Sequence, residues 1–176
     1  MLRLLGKILV GLVILVGLTA CATSVKQLET VETVTHRLMG QKFEKISVNL
    51  SQEAQGKLSE NPTFNSDEFK NVVTQKCEES NLISTTSEYS ISIDVTDVRT
   101  RSTFTAIMFG FMAGDDHIVG TVKVTDKDRK TLKSFEISAS YALGGLAGGQ
   151  DSMRMNWLYE KFAELTIAEL KGEKST

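Results

Sequence analysis

Tyr89-Ser-Ile-Ser-Ile-Asp-Val-Thr96 alternates apolar and polar residues over its whole length. A period of two is that of a β-strand with one buried and one solvated face. Two further runs of the same kind cover residues 118–124 and 135–141. The polar link from Asp126 to Lys130 between them is short enough for a hairpin. The three runs together predict an antiparallel meander.

A strand and a helix precede this meander. Glu44 to Leu50 alternates in the same way and predicts the first strand. Asn65 is a favourable helix N-cap, and Glu68 is placed to complete a capping box with it. Phe64 and Phe69 flank this start as a hydrophobic staple. The helix then presents one apolar face at helical spacing, made of Phe69, Val72, Val73 and Cys77.

A second helix is predicted near the end of the chain, from Met153 to Lys171. Asp151 or Ser152 is its candidate cap, and Gly172 lies just past its end. Its inward candidates are Met155, Leu158, Phe162, Ile167 and Leu170. The predicted order is strand, helix, three strands and helix. This order favours an α+β two-layer sandwich, with a mainly antiparallel sheet and both helices on one of its faces.

The first residues have the layout of a secretory signal. Arg3 and Lys7 give a basic start, residues 8–17 are apolar, and Leu18-Thr-Ala-Cys21 follows. An uncleaved membrane anchor would need roughly 20 apolar residues, more than this segment supplies. We therefore interpret residues 1–20 as a signal peptide whose removal leaves Cys21 at the N-terminus.

The segment ending at Cys21 resembles the lipobox of bacterial lipoproteins. That resemblance implies a diacylglycerol on the sulfur of Cys21 and often a further fatty acid, such as palmitate, on its amine. Two or three acyl chains make membrane attachment stable, whereas one chain alone binds only marginally. In enterobacterial lipoproteins an aspartate after the cysteine commonly signals inner-membrane retention, and here Ala22 takes that place. The resemblance thus implies an anchor on the periplasmic face of the outer membrane.

The remaining 156 of the 176 residues suit one compact domain and a tether. We assign residues 21–42 to the lipidated N-terminus and tether, and residues 43–176 to a single periplasmic domain. The apolar spacing of residues 22–40 allows a helical face, while its threonines equally allow a partly ordered tether. Fully extended, that tether would reach roughly 70 Å. Cys77 is expected to be a small core residue rather than a reactive thiol.

Charge and motifs argue against several classes of function. Loss of Arg3 and Lys7 from 20 basic and 22 acidic residues leaves a net charge of about −4, which indicates no nucleic-acid surface. The glycine-rich residues 144–149 lack the Lys and Ser/Thr of a phosphate-binding loop, so no nucleotide is expected.

Asp115, Asp116 and His117 are interpreted as a solvated turn rather than a metal site. Arg99, Arg101 and Arg129 are interpreted as exposed solubilising residues, with a shared polar patch as the alternative. We expect no cofactor, no metal and no enzymatic activity.

Two connections are unusually apolar for loops. They are residues 104–114 and 142–149, which an antiparallel meander brings to the same end of the sheet. Exposed apolar surface of this kind marks a contact with a partner, ligand or membrane. The structural alternative is that residues 105–112 extend the strands or form a short buried helix. The candidate contact residues are Phe104, Ile107, Met108, Phe109, Phe111, Met112, Leu143 and Leu146.

Several segments together resemble a family of bacterial lipoproteins defined by domain of unknown function 4410. They are the lipobox, the strand end Val95-Thr-Asp-Val-Arg-Thr-Arg, the apolar insert through Gly114, the strand Val119 to Asp126, the glycines after Tyr141 and the final amphipathic helix. Relatives of this kind usually carry a glycine in the hairpin that follows Asp126, and this chain does not.

These observations predict a lipid-anchored, non-catalytic module that recognises another envelope component, most simply a protein. A carrier for a hydrophobic ligand is the alternative, with the Phe and Met residues lining a cavity. A hydrolase without a recognisable motif is the third class.

Overall fold

The computed structural model describes residues 23–30, 38, 40–109, 112, 114–142 and 150–173. Its strands are β1 (Ser24–Thr30), β2 (Ile46–Leu50), β3 (Ser90–Arg99), β4 (Asp116–Thr125) and β5 (Thr131–Tyr141). Its helices are α1 (Gln52–Gly56), α2 (Ser66–Glu79), α3 (Thr103–Phe109) and α4 (Asp151–Lys171), with a 3₁₀ turn at Leu58–Glu60. Among these residues, no helix has both the length and the apolar character needed to cross a membrane.

The five strands form one mixed sheet in the order β1-β5-β4-β3-β2. Strands β3, β4 and β5 make the predicted antiparallel meander, with Ile93 opposite Val122 and Val122 opposite Phe135. Strand β2 runs parallel to β3, because the chain crosses over through α2 before it re-enters the sheet. The predicted α+β class and the mainly antiparallel sheet are confirmed.

Strand β1 differs from the expectation of a helix or a tether for residues 22–40. It pairs antiparallel with β5, with Ser24 opposite Ser138. Valine and threonine fit a pleated edge, and pairing with β5 supplies the backbone hydrogen bonds that a free tether would lack. Val25 packs against the core while Lys26 is exposed, so this short strand alternates faces like the others. The sheet therefore begins three residues after Cys21.

The core lies between the sheet and the helices α2 and α4. Phe69 of α2 packs edge-on against Phe162 of α4, with ring centroids 5.1 Å apart. Gly120 of β4 leaves room for this contact, since a Cβ there would lie 3.2 Å from the Phe162 ring. Cys77 is fully buried in the same core, and burial raises the pKa of its thiol to about 12. Its predicted role as a core residue is confirmed.

The start of α2 confirms Asn65 as its N-cap. The Asn65 Oδ1 atom accepts hydrogen bonds from the backbone N–H groups of Asp67 and Glu68, both at 3.0 Å. The backbone N–H of Asn65, which a capping box would give to Glu68, is donated instead to the Tyr159 hydroxyl at 2.8 Å. This bond joins the beginning of α2 to the middle of α4.

The predicted N-cap of α4 was wrong. Its N-cap is Gln150 rather than Asp151 or Ser152. Asp151 lies inside the first turn, where its carboxylate accepts a hydrogen bond from Arg154 at 2.8 Å. The other end is as predicted, because Gly172 takes a left-handed conformation with φ 70° and closes the helix.

The β4–β5 hairpin turns without a glycine. The Asp126 Oδ1 atom accepts hydrogen bonds from the backbone N–H groups of Asp128 and Lys130 at 3.0 and 2.9 Å. Arg129 takes the left-handed position, with φ 61°. The side chain of Asp126 thus stabilises a turn that places a bulky residue in a conformation favouring glycine.

Arg129→Gly is expected to raise the free energy of unfolding by about 1 kcal/mol, because glycine adopts positive φ without a Cβ clash. Asn81, with φ 59°, is the matched control. Asparagine tolerates positive φ better than arginine, so Asn81→Gly should raise the free energy of unfolding by a smaller amount. Denaturant unfolding of both variants measures the difference. A gain at position 129 no larger than that at position 81 would contradict a strained Arg129.

Candidate functional site

A buried ionic cluster lies where β4 begins. Asp116 is fully buried, and Arg101 and Arg154 are 5% and 2% exposed. The Asp116 Oδ2 atom accepts hydrogen bonds from Arg154 Nε at 2.8 Å and from Arg101 Nη2 at 3.1 Å. The backbone N–H of Arg101 donates to Asp116 Oδ1 at 2.6 Å. One carboxylate therefore holds two guanidinium groups and a backbone amide.

The cluster also binds backbone carbonyls of neighbouring segments. Arg101 donates to the carbonyl of Gly114 at 2.7 Å and to that of Tyr141 at 3.1 Å. Arg154 donates to the carbonyl of Arg101 at 2.8 Å, besides its bond to Asp151. Two positive and two negative side chains thus connect the end of β3, both ends of the α3 connection, the end of β5 and the start of α4. We call this region the Asp116 end of the sheet.

Two sequence interpretations are corrected here. Asp116 is not part of a solvated turn, because it begins β4 and lies in the interior. Arg101 is likewise buried, whereas Arg99 and Arg129 are exposed at opposite ends of the sheet, so the three arginines form no shared patch. Among the described residues, no group of three or more His, Cys, Asp or Glu side chains could hold a metal ion.

A polar cleft of about 340 Å³ lies beside the cluster. Asp97 accepts hydrogen bonds from Lys57 Nζ at 3.0 Å and is 3.1 Å from His117 Nε2. The other ring nitrogen of His117 is 3.4 Å from the Asp115 carboxylate. Partial burial opposes ionisation of Asp97, but the hydrogen bonds from Lys57 and His117 outweigh it and lower its pKa. A salt bridge from Lys57 and a hydrogen bond with His117 therefore join the end of α1 and β4 to Asp97 of β3.

Most of the exposed large apolar residues lie on the helix α3 or just after it. Ser102 precedes its first residue and caps it, with its hydroxyl accepting a hydrogen bond from the backbone N–H of Thr105 at 3.2 Å. Ala106 is buried, so one side of α3 is covered. Five large apolar side chains are exposed instead, at fractions of 67%, 45%, 62%, 57% and 81%: Phe104, Ile107, Met108, Phe109 and Met112. We call these five residues the α3 surface.

The structure decides whether the described part of residues 105–112 extends the strands, forms a buried helix or is exposed. Thr103–Phe109 is a short helix rather than an extension of β3, and its large side chains point outward rather than into the core. Of the other candidate residues, Phe111, Leu143, Leu146 and the lipidation candidate Cys21 lie outside the described residues. Ile107 and the other four residues of the α3 surface remain contact candidates.

The path of the chain after α3 depends on a glycine. Gly114 has φ 85°, and a Cβ there would lie 2.7 Å from Arg99 Nη1. Two residues later Asp116 enters β4 opposite Tyr141 of β5. The α3 connection and the segment after Tyr141 therefore begin and end at the same end of the sheet, as the meander predicted. Met153, in the first turn of α4 at this end, is another exposed apolar residue.

These features define an α+β domain with an exposed apolar helix fixed at one end of its sheet. The sequence model for a domain of unknown function, DUF4410, matches residues 17–145. Because the match covers well over half of the 176 residues, the chain belongs to this family. The resemblance seen in the sequence is confirmed. No curated protein matches the chain.

Solved structures offer distant likenesses. A dodecameric PelC variant from Paraburkholderia phytofirmans is 9% identical, with a TM-score of 0.49 over 84% of this chain and 98% of that one. A second PelC dodecamer from the same organism is 10% identical, with a TM-score of 0.41 over 87% and 99%. A minor lipoprotein from Acinetobacter baumannii is 10% identical, with a TM-score of 0.41 over 74% and 94%. At these values the likenesses carry no inference about function or assembly.

Asp116→Asn is expected to lower the free energy of unfolding by about 3–5 kcal/mol, because it leaves two buried guanidinium groups without their counter-charge. Asp94→Asn is the matched control. Asp94 pairs with Lys123 at 2.8 Å, but both side chains are partly exposed, so its loss should cost less than about 1 kcal/mol. Denaturant unfolding compares the two, and similar losses would contradict a dominant role for the buried cluster.

The lowered pKa of Asp97 predicts acid sensitivity. The folded state favours the ionised carboxylate, so its contribution is fully present above the ordinary pKa of 3.8. That contribution is lost as the pH falls through the lower folded-state pKa. Asp97→Asn should therefore flatten the fall in stability below pH 4, whereas Asp128→Asn in the exposed hairpin should preserve it. Denaturant unfolding measured at several pH values across this range checks the prediction. An identical dependence of the unfolding free energy on pH in the Asp97→Asn and Asp128→Asn variants would contradict it.

Proposed function

We propose that this chain is a lipid-anchored lipoprotein of the bacterial envelope that acts as a non-catalytic binding or assembly module. The single observation that carries the proposal is the α3 surface. A seven-residue helix and its neighbour Met112 expose two Phe, one Ile and two Met side chains. Contiguous apolar patches on a small domain mark contacts with other molecules, because leaving them in water is unfavourable.

The attachment of this module is inferred from its first residues. Leu18-Thr-Ala-Cys21 follows an apolar run and resembles a lipobox, so Cys21 is the acylated residue of the proposal. Membership in the DUF4410 family is in keeping with that inference. The identity of Ala22 favours the periplasmic face of the outer membrane over the inner membrane.

The hydrogen bonds on either side of α3 support a binding role. The helix is held between Arg101 and Gly114, both bonded within the buried cluster. A contact surface fixed before binding loses less conformational entropy when its partner arrives. The cluster also supplies no obvious chemistry of its own, because the Asp116 carboxylate is fully engaged by two arginines and a backbone amide.

The carrier hypothesis would place the same side chains around a cavity. Three clefts formed by described residues are lined by other side chains, most of them polar. The residues of the α3 surface point outward, with exposed fractions from 45% to 81%. The geometry therefore favours a contact surface over an internal ligand site.

Photo-crosslinking in intact cells tests this proposal. A photoreactive residue placed at Phe104 or Met108 should form adducts with whatever molecule the α3 surface contacts, identified by mass spectrometry. The same residue at Lys127, in the β4–β5 hairpin at the opposite end of the sheet, is the control. Cys21→Ser should abolish both incorporation of labelled palmitate and these adducts. Equal adducts at positions 104 and 127, or normal labelling of Cys21→Ser, would refute the proposal.

A further inference from the structure

The distance between the anchor and the folded domain is short. Ser24 is already paired in the sheet, with its partner Ser138 on β5. Only Ala22 and Thr23 separate it from Cys21. Three residues span at most about 10 Å in any conformation. If Cys21 carries acyl chains, the domain cannot stand away from the membrane in the manner of the 70 Å tether expected from the sequence.

The direction of β1 decides which end of the domain faces the bilayer. Because β1 is antiparallel to β5, its register runs from Ser24 opposite Ser138 to Thr30 opposite Lys133. The N-terminal end of β1 therefore points along β5 towards Tyr141. Tyr141 pairs with Asp116, so the chain leaves the sheet towards Cys21 at the Asp116 end.

The α3 surface lies at that same end. Helix α3 begins two residues after Arg101, whose guanidinium bonds Asp116 and the carbonyl of Tyr141. A covalent link of three residues thus holds the acyl chains near five exposed apolar side chains. Such a link gives the second contact a high effective concentration, so even a weakly lipophilic surface becomes occupied.

We propose that the α3 surface inserts into the membrane leaflet that holds the acyl chains of Cys21. This inference rests on the proposed lipid anchor and names the envelope component that the surface contacts. A seven-residue helix is about 10 Å long, too short to span a bilayer but able to lie in its interface. Phe and Met side chains suit burial at the boundary between headgroups and acyl chains.

The distribution of charge along the sheet supports this orientation. At the Asp116 end the cluster residues Arg101, Asp116 and Arg154 are buried and paired, so their charges are kept from the lipid. Arg99 is exposed at this end, where its long side chain could carry the guanidinium to the lipid headgroups. The opposite end carries the β4–β5 hairpin, where all residues from 127 to 130 are exposed and all are charged. Strand β4 has ten residues, which separates the two ends by roughly 33 Å. The exposed charged turn therefore faces away from the bilayer.

Depth-dependent quenching in vesicles tests the insertion. The full mature, acylated protein is reconstituted into vesicles of phosphatidylethanolamine and phosphatidylglycerol, after a bimane label is placed on Met108→Cys or, as control, on Lys127→Cys. The label reaches the new cysteine alone, because Cys77 is fully buried and Cys21 is blocked by its acyl group. Lipids carrying a nitroxide on the acyl chain should quench the label at position 108 at least threefold more than the label at position 127. Equal quenching would overturn the inference.

A second variant tests whether quenching at position 108 depends on the neighbouring apolar side chains rather than on a change in folding. Phe104→Ser together with Ile107→Ser should keep the thermal midpoint, since both side chains are exposed, yet reduce quenching at position 108. Unchanged quenching in that variant would also refute insertion of the α3 surface.

The two proposals fail in different ways. If mass spectrometry of the mature protein shows no acyl group on Cys21, the lipid anchor is refuted, and so is the insertion of the α3 surface that rests on it. An acylated protein whose label at position 108 is not quenched refutes only the contact with lipid. If positions 104 and 108 then crosslink to a protein in cells, the proposed binding function stands, and its partner is a protein rather than lipid.

Discussion

The carboxylate of Asp116 is the point at which the separate parts of this domain meet. It binds Arg101 from the end of β3 and Arg154 from α4, and Arg101 in turn holds the carbonyls of Gly114 and Tyr141. Charges removed from water are costly unless each finds its partners, and here each does. The arrangement fixes where the α3 connection leaves and re-enters the sheet, and therefore the end of the sheet at which the exposed apolar helix lies.

Much of this fold follows from local patterns in the sequence. Alternation predicted β3, β4 and β5, and the short polar link predicted their hairpin, because a period of two matches the pleat of a strand and not the turn of a helix. Asn65 marked the start of α2 correctly, since an N-cap side chain satisfies backbone groups within its own turn. Strand β1 was missed because edge pairing depends on β5, more than a hundred residues later, and not on its own apolar spacing.

The candidate site was harder to predict for two physical reasons. Arg101, Asp116 and Arg154 are far apart in sequence, and a lone Arg or Asp is exposed in most proteins, so only the fold shows that they converge. The apolar segment from Phe104 to Met112 was recognised as unusual for a connection, but its composition fits a core segment equally well. Only the burial of Ala106 and the exposure of its larger neighbours decide which face points outward.

Strand β1 is the first part of the domain to be made and one of the last that can find its place. Its partner, β5, must be synthesised before Ser24 to Thr30 have anything to pair with. Contacts so distant along the chain also form slowly, because closing the intervening loop costs entropy. Strand β1 consequently stays without its partner strand while roughly a hundred later residues are made, so the proposed acylation of Cys21 would have time to occur before this edge of the sheet forms.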